Sequence, residues 1–340
     1  MSPPGRVVCF GELLLRLAAV DDELILQSPR LAVSVGGAEA NVAVSLACLG
    51  LEASVVTVLP DNALGRAARD ELRKHGVDTS GVRFAPGRMG LYFLTPGAVL
   101  RPSEVLYDRA GSAFAEAAPD GVDWGKALDG AAWLHLSGVT PAIGPNGAAA
   151  SVRAAKAARE LGVPVSFDGN FRGKLWAAWK GDAGAILRSI FETATIAFAD
   201  ERDIGLILGR DFGQGSVEER RRAAAKAAFE AFPNLTHLAA TIRVHHGVTH
   251  QELSALMFTR KGEFATRSFA LSGIVDRIGA GDAFAAGVLR GLIRDEDDQA
   301  SLEFGLAAAC YKHSIPGDFN LASEAEVMSL LAGGSFDVRR

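Results

Sequence analysis

Cysteine is scarce in this 340-residue chain: Cys9, Cys48 and Cys310 are its three, scattered through apolar surroundings. No two of them have metal-binding or redox spacing, so they read as reduced core thiols of a cytoplasmic protein. An excess of charge of one sign is lacking too. The formal net charge is −5, which leaves no electrostatic case for nucleic acid or an anionic membrane surface as a partner. The opening Met1-Ser2-Pro3-Pro4-Gly5-Arg6 leads into only a short apolar segment, neither a signal peptide nor a membrane span. Two phosphate-binding patterns are also missing. No G-x-x-x-x-G-K-[ST] occurs, which excludes a P-loop enzyme. The turn after the first apolar strand is Gly11-Glu12-Leu13-Leu14, not the G-x-G-x-x-G of a dinucleotide binder, which weakens a dehydrogenase reading.

What is present is a rhythm. Apolar runs at 6–11, 53–59, 133–137, 164–168, 195–199, 237–241 and 253–259 read as strands. Most are separated by amphipathic stretches at 42–49, 61–76, 148–161, 184–191, 200–208 and 217–231, with 298–313 and 323–331 closing the chain as helices. Alternation of this kind predicts an α/β fold: a doubly wound, mostly parallel sheet flanked by helices. Short segments at 13–17, 31–35, 90–95 and 104–107 interrupt it and read as a small antiparallel sheet above the main one. No linker, repeat or low-complexity tract divides the chain, so 1–340 reads as one domain, with lid strands drawn from about 12–35 and 88–110. Ligands of such sheets bind outside the carboxyl ends of the strands. Glu12, Gly36-Gly37, Asp168, Asp200 and the loop 279–282 all follow expected strands and should share that face.

The chain is organised around the stretch 272–287. An apolar strand-like run ends at Val275, a turn carries Gly279 and Gly281, and an Ala-rich helix starts near Asp282. The glycines let backbone N–H groups approach an anion, and the helix start adds partial positive charge. Asp282 beside such a pocket is either a helix N-cap or a general base facing an incoming hydroxyl.

Two segments resemble the signatures of one family. Gly36-Gly37-Ala38-Glu39-Ala40-Asn41-Val42-Ala43 is similar to the N-terminal signature of the ribokinase-like (PfkB) carbohydrate kinases, and Asp276-Arg277-Ile278-Gly279-Ala280-Gly281-Asp282-Ala283-Phe284 to their C-terminal one. The resemblance implies ATP-dependent phosphorylation of a sugar hydroxyl, with Asp282 as base and the N–H groups of Gly279, Ala280 and Gly281 holding the transferring phosphate. Tyr107-Asp108-Arg109-Ala110-Gly111-Ser112-Ala113 and Phe167-Asp168-Gly169-Asn170-Phe171-Arg172-Gly173-Lys174-Leu175-Trp176 resemble segments of the 2-keto-3-deoxygluconate kinases within the family. Two arginines suit an acidic sugar, because a guanidinium fork pairs bidentately with a carboxylate. By the resemblance, Gly36, Gly37, Asn41, Tyr92, Tyr107, Arg109, Arg172 and Asp282 contact the sugar acid, with Glu12 a further candidate on the rim. The alternatives are a fructokinase or other ketose kinase, and a non-catalytic sugar-binding sensor on the same fold.

The nucleotide side departs from the family pattern. Thr241-Ile242-Arg243-Val244-His245-His246-Gly247 stands where many relatives have Lys-x-Gly-x-x-Gly. Asn170, Thr241, Arg243, Gly279 and Gly281 are the nucleotide-binding candidates. Asp200 and Asp203 replace the usual Asn-x-x-Glu; they either hold Mg²⁺ through water or favour a helix N-terminus. His245, His246 and His250 lack metal-ligand partners and read as a polar loop. Asp318 either faces the substrate or initiates a turn. The resemblance also implies a homodimer or higher homo-oligomer paired through the lid.

Overall fold

The computed structural model describes residues 5–333; positions 1–4 of the N-terminal reading and 334–340 of the single-domain reading lie outside them. Its strands are β1 (Arg6–Phe10), β2 (Leu14–Ala18), β3 (Ala32–Gly36), β4 (Ala53–Pro60), β5 (Val82–Ala85), β6 (Leu91–Thr95) and β7 (Glu104–Asp108). They continue with β8 (Ala131–Ser137), β9 (Val165–Asp168), β10 (Ala194–Phe198), β11 (His237–His245), β12 (His250–Thr259), β13 (Glu263–Ala265) and β14 (Phe269–Ser272). The main sheet runs β13-β12-β11-β10-β9-β8-β1-β4-β5, with β14 also on β12. From β11 to β5 every pairing is parallel; β12 and its partners are antiparallel. This is the mostly parallel α/β sheet expected of the alternating pattern.

Strand β1 shows why the sheet is a core with two sides. Val8 and Phe10 pack into one buried cluster and Val7 and Cys9 into the other, because successive side chains of a strand point to opposite faces. Fully burying each such side chain contributes roughly 1.5–3 kcal/mol. The order of strands reverses between β1 and β8, a switch point at which the connections diverge and leave a crevice. The separate small sheet, β3-β2-β6-β7, stands over that crevice; it is mixed rather than antiparallel, because β2 and β6 pair in parallel between two antiparallel edges.

Helix Ala280–Ile293 is held against helix Asp298–Lys312 by a glycine crossing. A Cβ on Gly287 would lie 2.7 Å from the Gly305 Cα, so only two bare backbones fit there. All three cysteines are free, and no described helix is long and apolar enough to cross a membrane.

Two expectations about the central stretch need correction. The strand ends at Ser272 rather than Val275, because Gly273 turns the backbone into the left-handed region at φ 69°. The helix starts at Ala280, with Gly279 at φ 80° as its N-cap and no side chain capping it. Asp282 therefore sits inside the first turn, not at the cap.

Candidate active site

Two cavities adjoin at the carboxyl ends of the parallel strands. The first, about 510 Å³, lies between the small sheet and the start of helix Ala280–Ile293. The second, about 520 Å³, continues over the ends of β9, β10 and β11. Asp168, Asn170, Arg172 and Gly281 wall both, so a ligand in one can touch a ligand in the other.

Asp282 faces the first cavity and is otherwise buried. Its Oδ2 accepts a 2.6 Å hydrogen bond from Asn41 Nδ2. Burial pushes its carboxyl up to about 7; the Asn41 bond opposes the rise and the nearby Glu39 adds to it. The Asn41 Oδ1 is buried with no hydrogen-bond partner among the described residues. Behind these two, the buried Glu39 accepts from Ser137 N at 3.1 Å, Ser137 Oγ at 2.7 Å and Thr140 Oγ1 at 2.7 Å. That ties the start of helix Ala38–Cys48 to the end of β8 and fixes where Asn41 points.

A second buried network fixes the loop before helix Ala280–Ile293. Arg16 of β2 donates to Asp276 Oδ2 at 2.6 Å and to Asp318 Oδ1 at 3.2 Å. Asp276 also accepts from Ile278 N and Gly317 N, both at 3.0 Å. The Tyr92 hydroxyl donates to Asp318, 2.8 Å from Oδ2. A Cβ on Gly279 would collide with the Asp318 carbonyl oxygen, so the position accepts no side chain. The loop's N–H groups are thus presented by a scaffold that reaches into the small sheet.

Arg109 is 6% exposed, and its Nε donates to Glu12 Oε2 at 2.5 Å. Ser112 Oγ holds the other oxygen of Glu12 at 2.6 Å. This anchors the guanidinium by its inner nitrogen. Arg172 is exposed; the side-chain bond it makes is to the Phe171 carbonyl at 3.1 Å.

On the second cavity, Asp200 caps helix Glu201–Leu208. Its Oδ1 accepts from Arg202 N and Asp203 N, and its Oδ2 from the Arg202 guanidinium. Burial works against its charge, but the bonds from Arg202 outweigh it and hold the carboxyl below its usual value. Asp203 closes the capping box through one oxygen, and burial, then Asp200, push it up to about 6. Asp200→Ala is expected to cost about 1 kcal/mol of stability as a lost cap, which denaturant titration checks.

The sequence pattern of the pfkB family carbohydrate kinases matches residues 5–320. The chain belongs to that family. It is a carbohydrate kinase, and its relatives act on sugars and sugar acids. The chain is 32% identical to the 2-dehydro-3-deoxygalactonokinase of Haloferax volcanii, over 99% of each chain. It is 30% identical to fructokinase-1 of Oryza sativa subsp. japonica, over 96% of this chain and 97% of that one. The crystal structure of the 2-dehydro-3-deoxygluconokinase of Thermotoga maritima superposes with a TM-score of 0.91 at 40% identity, covering 97% of this chain and all of that one.

In this kinase the first cavity gathers Gly37, Asn41, Tyr92, Tyr107, Arg109, Arg172, Gly279, Gly281 and Asp282, drawn from both ends of the chain. Thr241, Asp200 and Asp203 line the second, and Asn170 lines both. Arg243 lies on the first cavity, apart from Thr241. Gly36 and Ala280 line neither; Gly36 lies against the Asp318 carboxylate, and Ala280 is buried. Glu12 is buried behind Arg109 rather than on the rim. His245 lines the first cavity, and His246 pairs with Glu252 at 3.0 Å. Arg16, Glu39 and Arg277 went unassigned in the sequence. Their one signal there is a charge within an otherwise apolar or glycine-rich segment.

Proposed function

We propose that the enzyme transfers the γ-phosphoryl group of ATP to the primary hydroxyl of 2-keto-3-deoxygluconate, giving 2-keto-3-deoxy-6-phosphogluconate. The observation that carries the transfer chemistry is a single wall. Asp282, poised near neutral pH, shares it with Gly279 and Gly281 at the N-terminus of a fourteen-residue helix. The acceptor oxygen attacks phosphorus as its proton passes to the Asp282 carboxylate. The bond from phosphorus to the β,γ-bridging oxygen breaks, and its electron pair leaves on ADP. The amides of Gly279, Gly281 and Asp282, which line the cavity, would hold the charge on the transferring oxygens, whereas the Ala280 amide is turned back to the Arg277 carbonyl. Phosphoryl transfer asks for such positioning and charge stabilisation more than for covalent help.

The acid is favoured over a neutral ketose by the two guanidiniums. Arg109 offers its outer nitrogens, since Glu12 takes the inner one. Arg172 forms no salt bridge among the described residues, although its charge works against the burial that raises Asp168, Asp203 and Asp282. Tyr92 and Tyr107 wall the same space, and the free Asn41 Oδ1 would accept from a sugar hydroxyl.

Mg²⁺ and nucleotide phosphates fit the second cavity. Asp168 and Asp203 line it together, and Asp168 is raised well above its usual value by burial, then by Asp282 and Asp203, a set of carboxylates that a cation would relieve. Mg²⁺ keeps much of its hydration shell and binds phosphates, so two carboxylates reached through water are enough to place it. Mg²⁺ would neutralise phosphate charge there; Asp203 and Asp168 would hold its waters, with Asp200 committed to its helix cap, and Thr241 would meet the phosphates.

A panel of sugar acids and ketoses with ATP and Mg²⁺, read as ADP release, tests the assignment. Turnover of 2-keto-3-deoxygluconate well above fructose supports it; comparable use of fructose removes the carboxylate argument in favour of a ketose kinase, and no ADP from any acceptor indicates a sugar-binding sensor.

Two further readings belong here. The outer face of the small sheet bears Leu17, Phe93, Val33 (62% exposed) and Leu106 (61% exposed), an apolar patch that supports pairing with a second copy. Light scattering is expected to give a dimer, and Val33→Glu with Leu106→Glu a monomer. Three unpaired thiols support a cytoplasmic enzyme.

A further inference from the structure

Arg277 stands two residues before the helix-capping Gly279 and lines the first cavity together with Gly279, Gly281 and Asp282. The acid beside it in sequence, Asp276, is occupied by Arg16 and two backbone amides. Among the described residues, the Arg277 side chain makes no ion pair and no hydrogen bond, although it is only partly exposed. Arg243 of β11 lines the same cavity, and its side-chain partners are neutral. It donates to Gln251 Oε1 at 2.7 Å and meets His313 Nε2 at 3.4 Å. His313 gives its Nδ1 proton to the Ala309 carbonyl, and burial takes its pKa down to about 4, so Nε2 is left as an acceptor.

Arg243 and Arg277 are close enough to repel. Burial lowers the Arg243 pKa first, and Arg277 lowers it further; His245 is lowered by burial and then by both arginines. Two guanidiniums without an ion pair, lining one cavity with Asp282 and a helix N-terminus, form a site in which an anion relieves their mutual repulsion. A carboxylate elsewhere in the cavity has Arg109 and Arg172 to meet. In the reading proposed above, the group that stands next to both Asp282 and the helix N-terminus is the phosphoryl in transit.

We propose that Arg277, with Arg243 opposite, contacts the oxygens of the transferring phosphoryl group and is a catalytic residue of this kinase. This rests on the phosphoryl-transfer site proposed above and adds to it a side-chain charge supplied within the chain. As the bond to the acceptor oxygen forms and the bond to the bridging oxygen of ADP breaks, negative charge spreads over the equatorial oxygens. A fork of donors placed there binds that state more strongly than the ground state.

The test compares wild type, Arg277→Gln and Arg277→Lys in steady-state kinetics with whichever acceptor gives turnover. Thermal shifts with Mg-ADP, and with Mg-ADP plus aluminium fluoride, are measured alongside. Arg277→Gln is expected to lose roughly 10²–10³-fold in kcat, the scale of one lost charge-stabilising donor, while both KM values stay within about threefold. It should keep the wild-type shift with Mg-ADP, which reports an intact fold and nucleotide site, and lose the extra shift that fluoroaluminate adds. Arg277→Lys should recover part of kcat, having the charge without the fork. A kcat within about threefold of wild type overturns the proposal. So does a rise confined to the sugar KM, which would make Arg277 a carboxylate contact, or one confined to the ATP KM, which would make it a ground-state nucleotide contact. Failure of 2-keto-3-deoxygluconate alongside turnover of a ketose would sink the substrate reading alone.

Discussion

Replacing Asp282 with Asn is expected to lower kcat by about 10²–10⁴-fold, the usual worth of a positioned general base, or about 3–5 kcal/mol of barrier. The same change should stabilise the protein. A carboxyl that ionises near 7 in the folded chain and near 4 when unfolded keeps its proton longer in the native state. Between those values the native state binds more protons, so its stability falls as pH rises from about 4 to about 7. Above pH 7 the wild type carries a buried charge that the amide variant lacks, which is worth up to about 4 kcal/mol. Thermal unfolding at pH 8 should therefore give the variant a higher Tm, with the gap closing toward pH 4. In the wild type, kcat/KM should fall as pH drops through about 7 and the base becomes protonated. A variant that turns over near the wild-type rate would remove Asp282 from the chemistry, whatever its Tm.

The second large effect concerns what the enzyme accepts. Arg172→Ala strands no buried partner, because that side chain bonds only a neighbouring carbonyl; its charge also favours the ionised Asp282, so a small loss falls on every acceptor. Arg109→Ala would leave Glu12 charged, buried and uncompensated, a structural penalty of about 3–5 kcal/mol that has nothing to do with substrate. Arg109→Gln keeps a donor for Glu12 and removes the fork. Charge-assisted bonds contribute about 1.5–3 kcal/mol each. Each change is therefore expected to cost roughly 10–150-fold in kcat/KM for the sugar acid, and together they should abolish its advantage over a neutral ketose. Fructose turnover should change little. Equal losses on acid and ketose would mean that the arginines shape the cavity rather than read a carboxylate.

Parts of this protein were plain before any coordinates. Both signatures stood out because glycine is required where the backbone takes a positive φ or packs against another chain segment, as at Gly37 and Gly279. The long helices 217–231 and 298–312 were legible from their periodicity, and so were the buried parallel strands. Strand β5 was not, being four half-exposed residues at an edge, nor were the four-residue helices Trp124–Ala127 and Val139–Ala142, too short to show a period. Strand β11 runs on to His245 because its last residues pair with the start of β12, a partner that local propensity does not reveal.

The residue types, their order and their spacing were enough to announce the family and the α/β class, because strand period, helix period and turn glycines act over a few neighbours. Which side chains meet was decided elsewhere. Asn41 reaches Asp282 across 241 positions, and Arg16 reaches Asp276 and Asp318 across 260 and 302. The same carboxylate could have capped its helix. It faces a cavity instead because Gly279 takes the cap and an amide from the far end of the chain turns it inward. Burial and charge proximity are properties of the packed state, so the ionisation of Asp282 and the unpaired charge of Arg277 come into being only when distant segments close on one another.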